Sequence, residues 1–130
     1  MNVFDASALL VFLQGEQGAD VVEAALIDGG ACSAANWSET AQKIHQRGGN
    51  WPLARGLLLG YGVTVEPVLI EDAERAAELW STVPGLSLGD RLCLALGERH
   101  DAVVWTADAA WGSGTTIRQV RGGRANDYLT

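Results

Sequence analysis

Four carboxylates stand out by the company they keep: Asp5 in Val3-Phe4-Asp5-Ala6-Ser7, Glu39 in Asn36-Trp37-Ser38-Glu39, Asp90 in Ser87-Leu88-Gly89-Asp90 and Asp108 in Trp105-Thr106-Ala107-Asp108. Brought to one place, they would repel one another. Two unit charges 4 Å apart cost about 4 kcal/mol at an effective dielectric near 20. Raised pKa values or bound cations relieve that repulsion. Oxygen-only ligands suit Mg²⁺ or Mn²⁺ rather than Zn²⁺. His45, His100, Cys32 and Cys93 are expected away from this group, which leaves a zinc site without support. Ser7 and Thr106 each stand two residues from an aspartate, within reach of the carboxylates or of bound water.

Whether the four meet depends on the elements that carry them. Val3-Phe4 reads as a short buried strand ending at Asp5, and a helix follows from Ala6. A second helix runs from Ala19 to Ile27 and ends at Gly29-Gly30. Residues 31–35 read as a second strand of small side chains, with Asn36 capping a helix from Trp37 to about Gln46. Asn50 and Pro52 open another helix, which carries Leu53, Leu57 and Leu58. Residues 63–68 alternate as a strand that Pro67 limits or places near an edge. Glu71 to Trp80 form a helix with Ala73, Ala76, Ala77 and Trp80 inward, and Glu71, Asp72, Glu74 and Glu78 on a solvated face. Asp20, Glu23 and Asp28 make a second such face. Ser87 caps an apolar helix from Leu88 to Arg99, residues 102–106 form a buried strand, and residues 115–120 form the last strand.

Strands alternating with helix pairs predict an α/β domain, a three-layer α/β/α sandwich on a mainly parallel sheet. The expected domain covers residues 1–120, with a polar, loose tail over 121–130. In such a sheet the helices run antiparallel to the strands. Helix N-termini and strand C-termini therefore share one edge, where ligands bind in open parallel sheets. Asp5, Glu39, Asp90 and Asp108 all fall on that edge, from four segments far apart in the chain. Each also has a structural reading: Asp5 as an N-cap, Glu39 and Asp90 as third residues of capping boxes, Asp108 as a cap or turn residue. Their conjunction is what points to chemistry.

The bulk numbers narrow the classes. The chain has 130 residues, enough for one core, and 48% of them are hydrophobic, so it folds rather than staying disordered. A net charge of −7 argues against a broad basic face for nucleic acid and allows a cation site or a basic protein partner. No apolar run approaches the roughly 20 residues of a membrane span, and no basic stretch precedes the first apolar run, as a secretion signal requires. Two cysteines 61 positions apart read as reduced thiols of a cytoplasmic protein. Neither G-x-G-x-x-G after the first strand nor G-x-x-x-x-G-K-[ST] is present, so those modes of nucleotide binding are not expected.

The segments around Asp5, Glu39, Asp90 (Leu88 to Leu96) and Asp108 (Thr106 to Trp111) resemble the PIN-domain ribonucleases, and within them the VapC toxins of VapBC toxin–antitoxin pairs. The resemblance runs from the start of the chain to about Val120. It implies a homodimeric endoribonuclease that needs Mg²⁺ or Mn²⁺, one or two ions, and cleaves RNA. It also implies a cognate VapB-like antitoxin that covers the active site. Asp5, Glu39, Asp90 and Asp108 match the acidic quartet, and Ser7 and Thr106 match the accessory hydroxyls. Many members carry a basic residue after the last acid, where this chain has Ala109. Arg91 is the nearest candidate for a phosphate contact, with a surface helix arginine as the plainer reading. Trp37 and Trp111 lie close enough to stack on a base, though packing is the plainer reading; Trp51, Trp80 and Trp105 read as core or dimer contacts. Alternative functions are a non-catalytic PIN-like binding module and a PIN nuclease of RNA processing outside a toxin pair. Phosphatases of the haloacid dehalogenase type want a second aspartate where Ser7 stands. Receiver domains want a late lysine, and Lys43 is misplaced.

Overall fold

A computed structural model describes residues 1–121; residues 122–130, and with them all but the first residue of the expected tail, lie outside the described residues. The elements follow the chain as β1 (Asn2–Phe4), α1 (Ala6–Leu13), α2 (Ala19–Asp28), β2 (Gly30–Ser33), α3 (Ala34–Gln46), α4 (Trp51–Gly60), β3 (Thr64–Glu66), α5 (Ile70–Thr82), α6 (Leu88–Arg99), β4 (Val103–Thr106) and β5 (Ile117–Gln119). A 3₁₀ turn, Ala109–Trp111, lies between β4 and β5. Among the described residues, no helix is long and apolar enough to cross a membrane.

Among the described residues, all five strands are parallel, in the order β3-β2-β1-β4-β5. The chain moves outward from β1 to β2 and β3, then returns to lay β4 on the other side of β1. The reversal makes β1/β4 the switch point of the sheet, where the connections leave in opposite directions and a crevice opens at the strand ends. Right-handed crossovers then require α1–α4 on one face and α5–α6 on the other.

The side-chain pattern agrees. Successive residues of a strand point to opposite faces. Phe4 packs with Leu9, Val11, Val22, Leu26 and Leu58. Val3, one residue earlier, packs with Cys93, Leu96, Val104 and Trp111. Each fully buried Phe or Leu contributes about 1.5–3 kcal/mol by removal from water, so the two small cores sandwich the central strand firmly. Gly30 permits the close approach of β1 and β2. A Cβ there would lie 2.5 Å from the Asn2 carbonyl oxygen and 2.6 Å from the Phe4 ring.

Several elements depart from the sequence expectation. The second strand stops at Ser33, whose Oγ accepts from Ala35 N at 3.2 Å and caps α3 three residues before Asn36. Asn36 is thus a buried first-turn residue, and Glu39 sits in the second turn rather than in a capping box. Helix-favouring Ala34-Ala35 and a competent serine cap account for the early start. The third strand is clipped to Thr64–Glu66, one residue short of Pro67, which has no N–H for the ladder. On α5 only Ala76 of the expected inward set is buried; Ala73, Ala77 and Trp80 are exposed, Trp80 by 71%. Leu79 and Asp72 point inward instead, so Asp72 leaves the solvated face assigned to it. On α4, Leu58 is buried while Leu53 and Leu57 are exposed.

Candidate active site

Asp5 follows the last residue of β1, and its backbone N–H still pairs with Trp105 O of β4 at 3.1 Å. The backbone there is extended, as an N-cap requires, and Oδ1 accepts from Ala8 N at 2.7 Å to start α1. The helix-cap reading is therefore correct, and it does not exhaust the side chain. Ser7 Oγ donates to the same carboxylate, 2.7 Å from Oδ1 and 2.9 Å from Oδ2. Thr106 Oγ1 donates to Oδ2 at 2.5 Å across the switch point. The two hydroxyls stand 3.3 Å apart. Thr106 Oγ1 also accepts from Asp108 N at 3.0 Å, and Ser7 Oγ accepts from Ala107 N at 2.8 Å. The strand-to-helix turn after β1 and the loop after β4 are thus stitched together through the Asp5 carboxylate.

Only 3% of Asp5 is exposed, and among the described residues no lysine, arginine or histidine forms an ion pair with it. Burial pushes its pKa from 3.8 up to about 6, against the lowering effect of the bonds from Thr106, Ala8 and Ser7; the nearby Asp90 charge adds to the rise. The carboxylate is therefore a buried anion with strong dipolar support and no cation.

The other three acids come from separate elements. Asp108 N-caps the 3₁₀ turn, with Ala110 N donating to Oδ1 at 2.9 Å, and it is exposed. Gln119 of β5 secures the loop behind it, donating to Asp108 O at 2.9 Å and Gly112 O at 2.7 Å. Asp90 forms a capping box with Ser87: Asp90 N donates to Ser87 Oγ and Ser87 N donates to Asp90 Oδ2, both at 3.1 Å. Glu39 Oε1 accepts from Asn36 Nδ2 at 2.7 Å, and the same amine reaches Gly89 O at 3.1 Å, tying α3 to the start of α6.

The structure thus brings Asp5, Ser7 and Thr106 into one bonded cluster. Asp108 is linked to it through Thr106, and Asp90 through its charge. Among the described residues no three His, Cys, Asp or Glu side chains are close enough together to hold a metal ion as they stand. The donor set is nevertheless all oxygen and strongly negative around an unpaired buried carboxylate, chemistry that fits a hard divalent cation.

Some expected neighbours fall elsewhere. Arg91 turns away to α5, donating from Nη1 to Ala76 O at 2.7 Å, so its guanidinium joins two helices. Trp111 is buried in the α6-side core, and Trp37 packs edge-on against Trp51 with ring centroids 5.2 Å apart. Trp105 Nε1 donates to Asn2 Oδ1 at 2.9 Å within the sheet. Both cysteines lie closer to the acids than the sequence suggested: Cys32 stands on β2 one residue before its end at Ser33, and Cys93 is buried on α6, each near enough for the charges of Asp5 and Glu39 to act on it. Burial pushes the Cys32 and Cys93 thiols up, and the charges of Asp5 and Glu39 push the same way, so both stay protonated. Asn36 and Gly89 were missed by sequence reasoning; a glycine in the first turn of a helix, immediately before a candidate acid, was the available signal.

A family model for the PIN domain matches residues 3–113. Among solved structures, the fold resembles a chain of a toxin–antitoxin complex from Klebsiella pneumoniae, with a TM-score of 0.72, 17% identity, and coverage of 93% of this chain and 98% of that one. It also resembles VapC20 from Mycobacterium tuberculosis, described as a toxin that cleaves the sarcin-ricin loop, with a TM-score of 0.65, 20% identity, and coverage of 88% and 97%. No curated protein sequence matches the chain. At these identities the structural likeness speaks for the fold, and the family match speaks for descent. A match over most of the chain, on an all-parallel sheet with Asp5 and Asp108 flanking its switch point, places this protein in the PIN-domain family.

Proposed function

We propose that this protein is the toxin of a type II toxin–antitoxin pair and acts as a metal-dependent endoribonuclease, with residues 1–120 as the nuclease domain. The observation that carries the reading is Asp5: a carboxylate at a sheet switch point, buried, hydrogen-bonded to two hydroxyls and a backbone amide, and lacking a cationic partner among the described residues. A purely structural acid at such depth is ordinarily paired. The similarity to toxin structures supports the toxin assignment, an RNA substrate and a VapB-like antitoxin as partner. Homodimerisation and the use of Mg²⁺ or Mn²⁺ belong to the same proposal.

Asp5 and Asp108 would be the central ligands of the cation, with Glu39 and Asp90 completing the set. When bound, the divalent ion supplies the positive charge that this edge lacks, drawing in the scissile phosphate and making an attacking water more acidic. The chain's own groups do the rest. Ser7, Thr106 and Ala8 N favour the ionised form of Asp5 and hold its plane. Gln119 fixes the loop that presents Asp108 at the surface, where a phosphodiester can approach. Glu39 on α3 and Asp90 on α6 would orient the water toward the phosphorus. Hydrolysis adds the water oxygen to phosphorus and releases the ribose oxygen with a proton. Ala109 leaves the edge without the cation that many members carry there, so phosphate contact depends on the bound metal.

The test is thermal unfolding with and without Mn²⁺, beside Mn²⁺-dependent cleavage of a mixed RNA substrate, for the parent and Asp5→Asn. A ligand of the folded state raises the midpoint. A rise and a cleavage activity present in the parent and lost in Asp5→Asn support the reading. An unchanged midpoint and no cleavage in the parent overturn it.

A further inference from the structure

Glu39 is the one acid of the quartet that is neither a helix cap nor bonded to a backbone amide in its own turn, so something else must aim it. Asn36, only 1% exposed, lies one turn earlier on α3, and its Nδ2 donates to Glu39 Oε1 at 2.7 Å and to Gly89 O at 3.1 Å. The opposite atom of the same amide, Oδ1, is buried without a hydrogen-bond partner. Turning the amide over would satisfy neither bond, because both partners of Nδ2 are acceptors. Asn36 therefore leaves an acceptor unsatisfied in order to hold the Glu39 carboxylate, a poor bargain for stability alone.

Gly89 supplies the other half. Its Cα faces the Glu39 carboxylate so closely that a Cβ would lie 2.6 Å from Oε1 and 3.0 Å from Cδ. Any side chain at position 89 would occupy the place where Glu39 now rests. The displaced group would be the end of a flexible side chain, not backbone, so the fold could yield while the carboxylate moved.

We infer that Asn36 and Gly89 form a cradle that positions Glu39 against the first turn of α6, beside Asp90. They are positioning residues, acting on the cation and the substrate only through Glu39. The inference rests on the proposed nuclease reading for its functional consequence, but not for its geometry.

Gly89→Ala is the sharper probe, since alanine favours a helix and should leave the metal-free unfolding midpoint equal to or above the parent's. Asn36→Ala tests the other wall. A crystal structure of metal-free Gly89→Ala should show the Glu39 carboxylate displaced from α6. Calorimetric titration with Mn²⁺ should show about ten-fold weaker binding in each variant, as for other groups that orient ligands. In a Glu39→Gln background, adding Gly89→Ala or Asn36→Ala should change Mn²⁺ affinity little further. Glu39 unmoved in Gly89→Ala, or full effects persisting in the Glu39→Gln background, would overturn the cradle. If the parent neither binds Mn²⁺ nor cleaves RNA, the nuclease reading fails, and the crystal structure still decides whether the cradle holds Glu39.

Discussion

Asp5 and Asp72 are equally buried, at 3% and 4% exposure, yet their surroundings are opposite. Asp72, in the first turn of α5, accepts from Leu69 N at 3.1 Å and takes both arms of Arg99, Nε on Oδ1 at 2.9 Å and Nη2 on Oδ2 at 3.2 Å. The positive charge sits on α6, so the pair fastens α5 to α6. Asp5 is bonded by three groups, all of them neutral: Ser7, Thr106 and the Ala8 amide. The charge that acts on it is another acid, Asp90. One carboxylate is complete within the fold; the other, under the proposed function, is completed by a cation from outside.

The largest effect should come from removing the incomplete one. Asp5→Asn keeps the cap and the shape and removes the charge. Mn²⁺-dependent RNA cleavage, measured as kcat/KM, should fall by about two orders of magnitude or more. Growth inhibition on expression without an antitoxin should be relieved with it. A variant that retained parental cleavage would erase the distinction between the two aspartates.

The same substitution should act on stability in the opposite direction. Folded Asp5 titrates near 6 rather than 3.8, so the native state holds this proton more tightly than the unfolded chain. Its contribution therefore favours folding below pH 4, and is lost as pH rises through the window from about 4 to about 6. Above pH 6 the ionised group weakens the metal-free fold by about 3 kcal/mol relative to a normal aspartate. Urea unfolding of metal-free parent and Asp5→Asn at pH 4 and pH 7 should show the variant gaining on the parent as pH rises, by an amount of this order. Saturating Mn²⁺ should close the gap by stabilising the parent alone.

For Asp72 the prediction reverses. Arg99→Met preserves the length of the side chain and strands the carboxylate. Breaking a buried pair costs about 3–5 kcal/mol. The Arg99 side chain is 26% exposed, so a loss of about 2 kcal/mol is expected. Urea unfolding at pH 7 measures it, and Mn²⁺ affinity should not change.

The contrast explains what the sequence could and could not reveal. Strand ends, helix starts and the edge they share follow from local chemistry: Val3-Phe4 before Asp5, Ser87 before Asp90, Thr106 before Asp108. Topology then did the rest, because an α/β chain with helix pairs has few ways to close. Asp72 was misread because helical periodicity shows which residues share a face, not which face meets another helix. Its partner lies 27 positions away, and only the packing of α5 on α6 reveals it. Glu39 was placed on the right edge for a wrong reason. A capping box was expected from Asn36, but Ser33 already caps the helix, and Asn36, buried within its first turn, bonds the glutamate one turn on and reaches across to Gly89 of α6. The signals lost were those carried by contacts between distant segments.

The smallest of these effects tests how Asp5 is kept useful despite its depth. Thr106 Oγ1 is the foremost of the bonds that hold its pKa down, and valine has nearly the same shape without the hydroxyl. Losing a bond to the ionised form raises a carboxyl pKa. In Thr106→Val, Asp5 should titrate above its present value of about 6, by about one pH unit. The acid limb of the cleavage rate against pH should move up by the same amount, so that the rate falls about ten-fold well below pH 6 and about two-fold at pH 7. At pH 9, where Asp5 is ionised in both proteins, most of that loss should be recovered. A loss that stayed constant from pH 6 to 9 would mean that Thr106 acts instead through its second bond, the one it accepts from Asp108 N. In that case the hydroxyl serves the exposed acid of the pair, and the low-polarity burial of Asp5 is offset by Ser7 and the Ala8 amide alone.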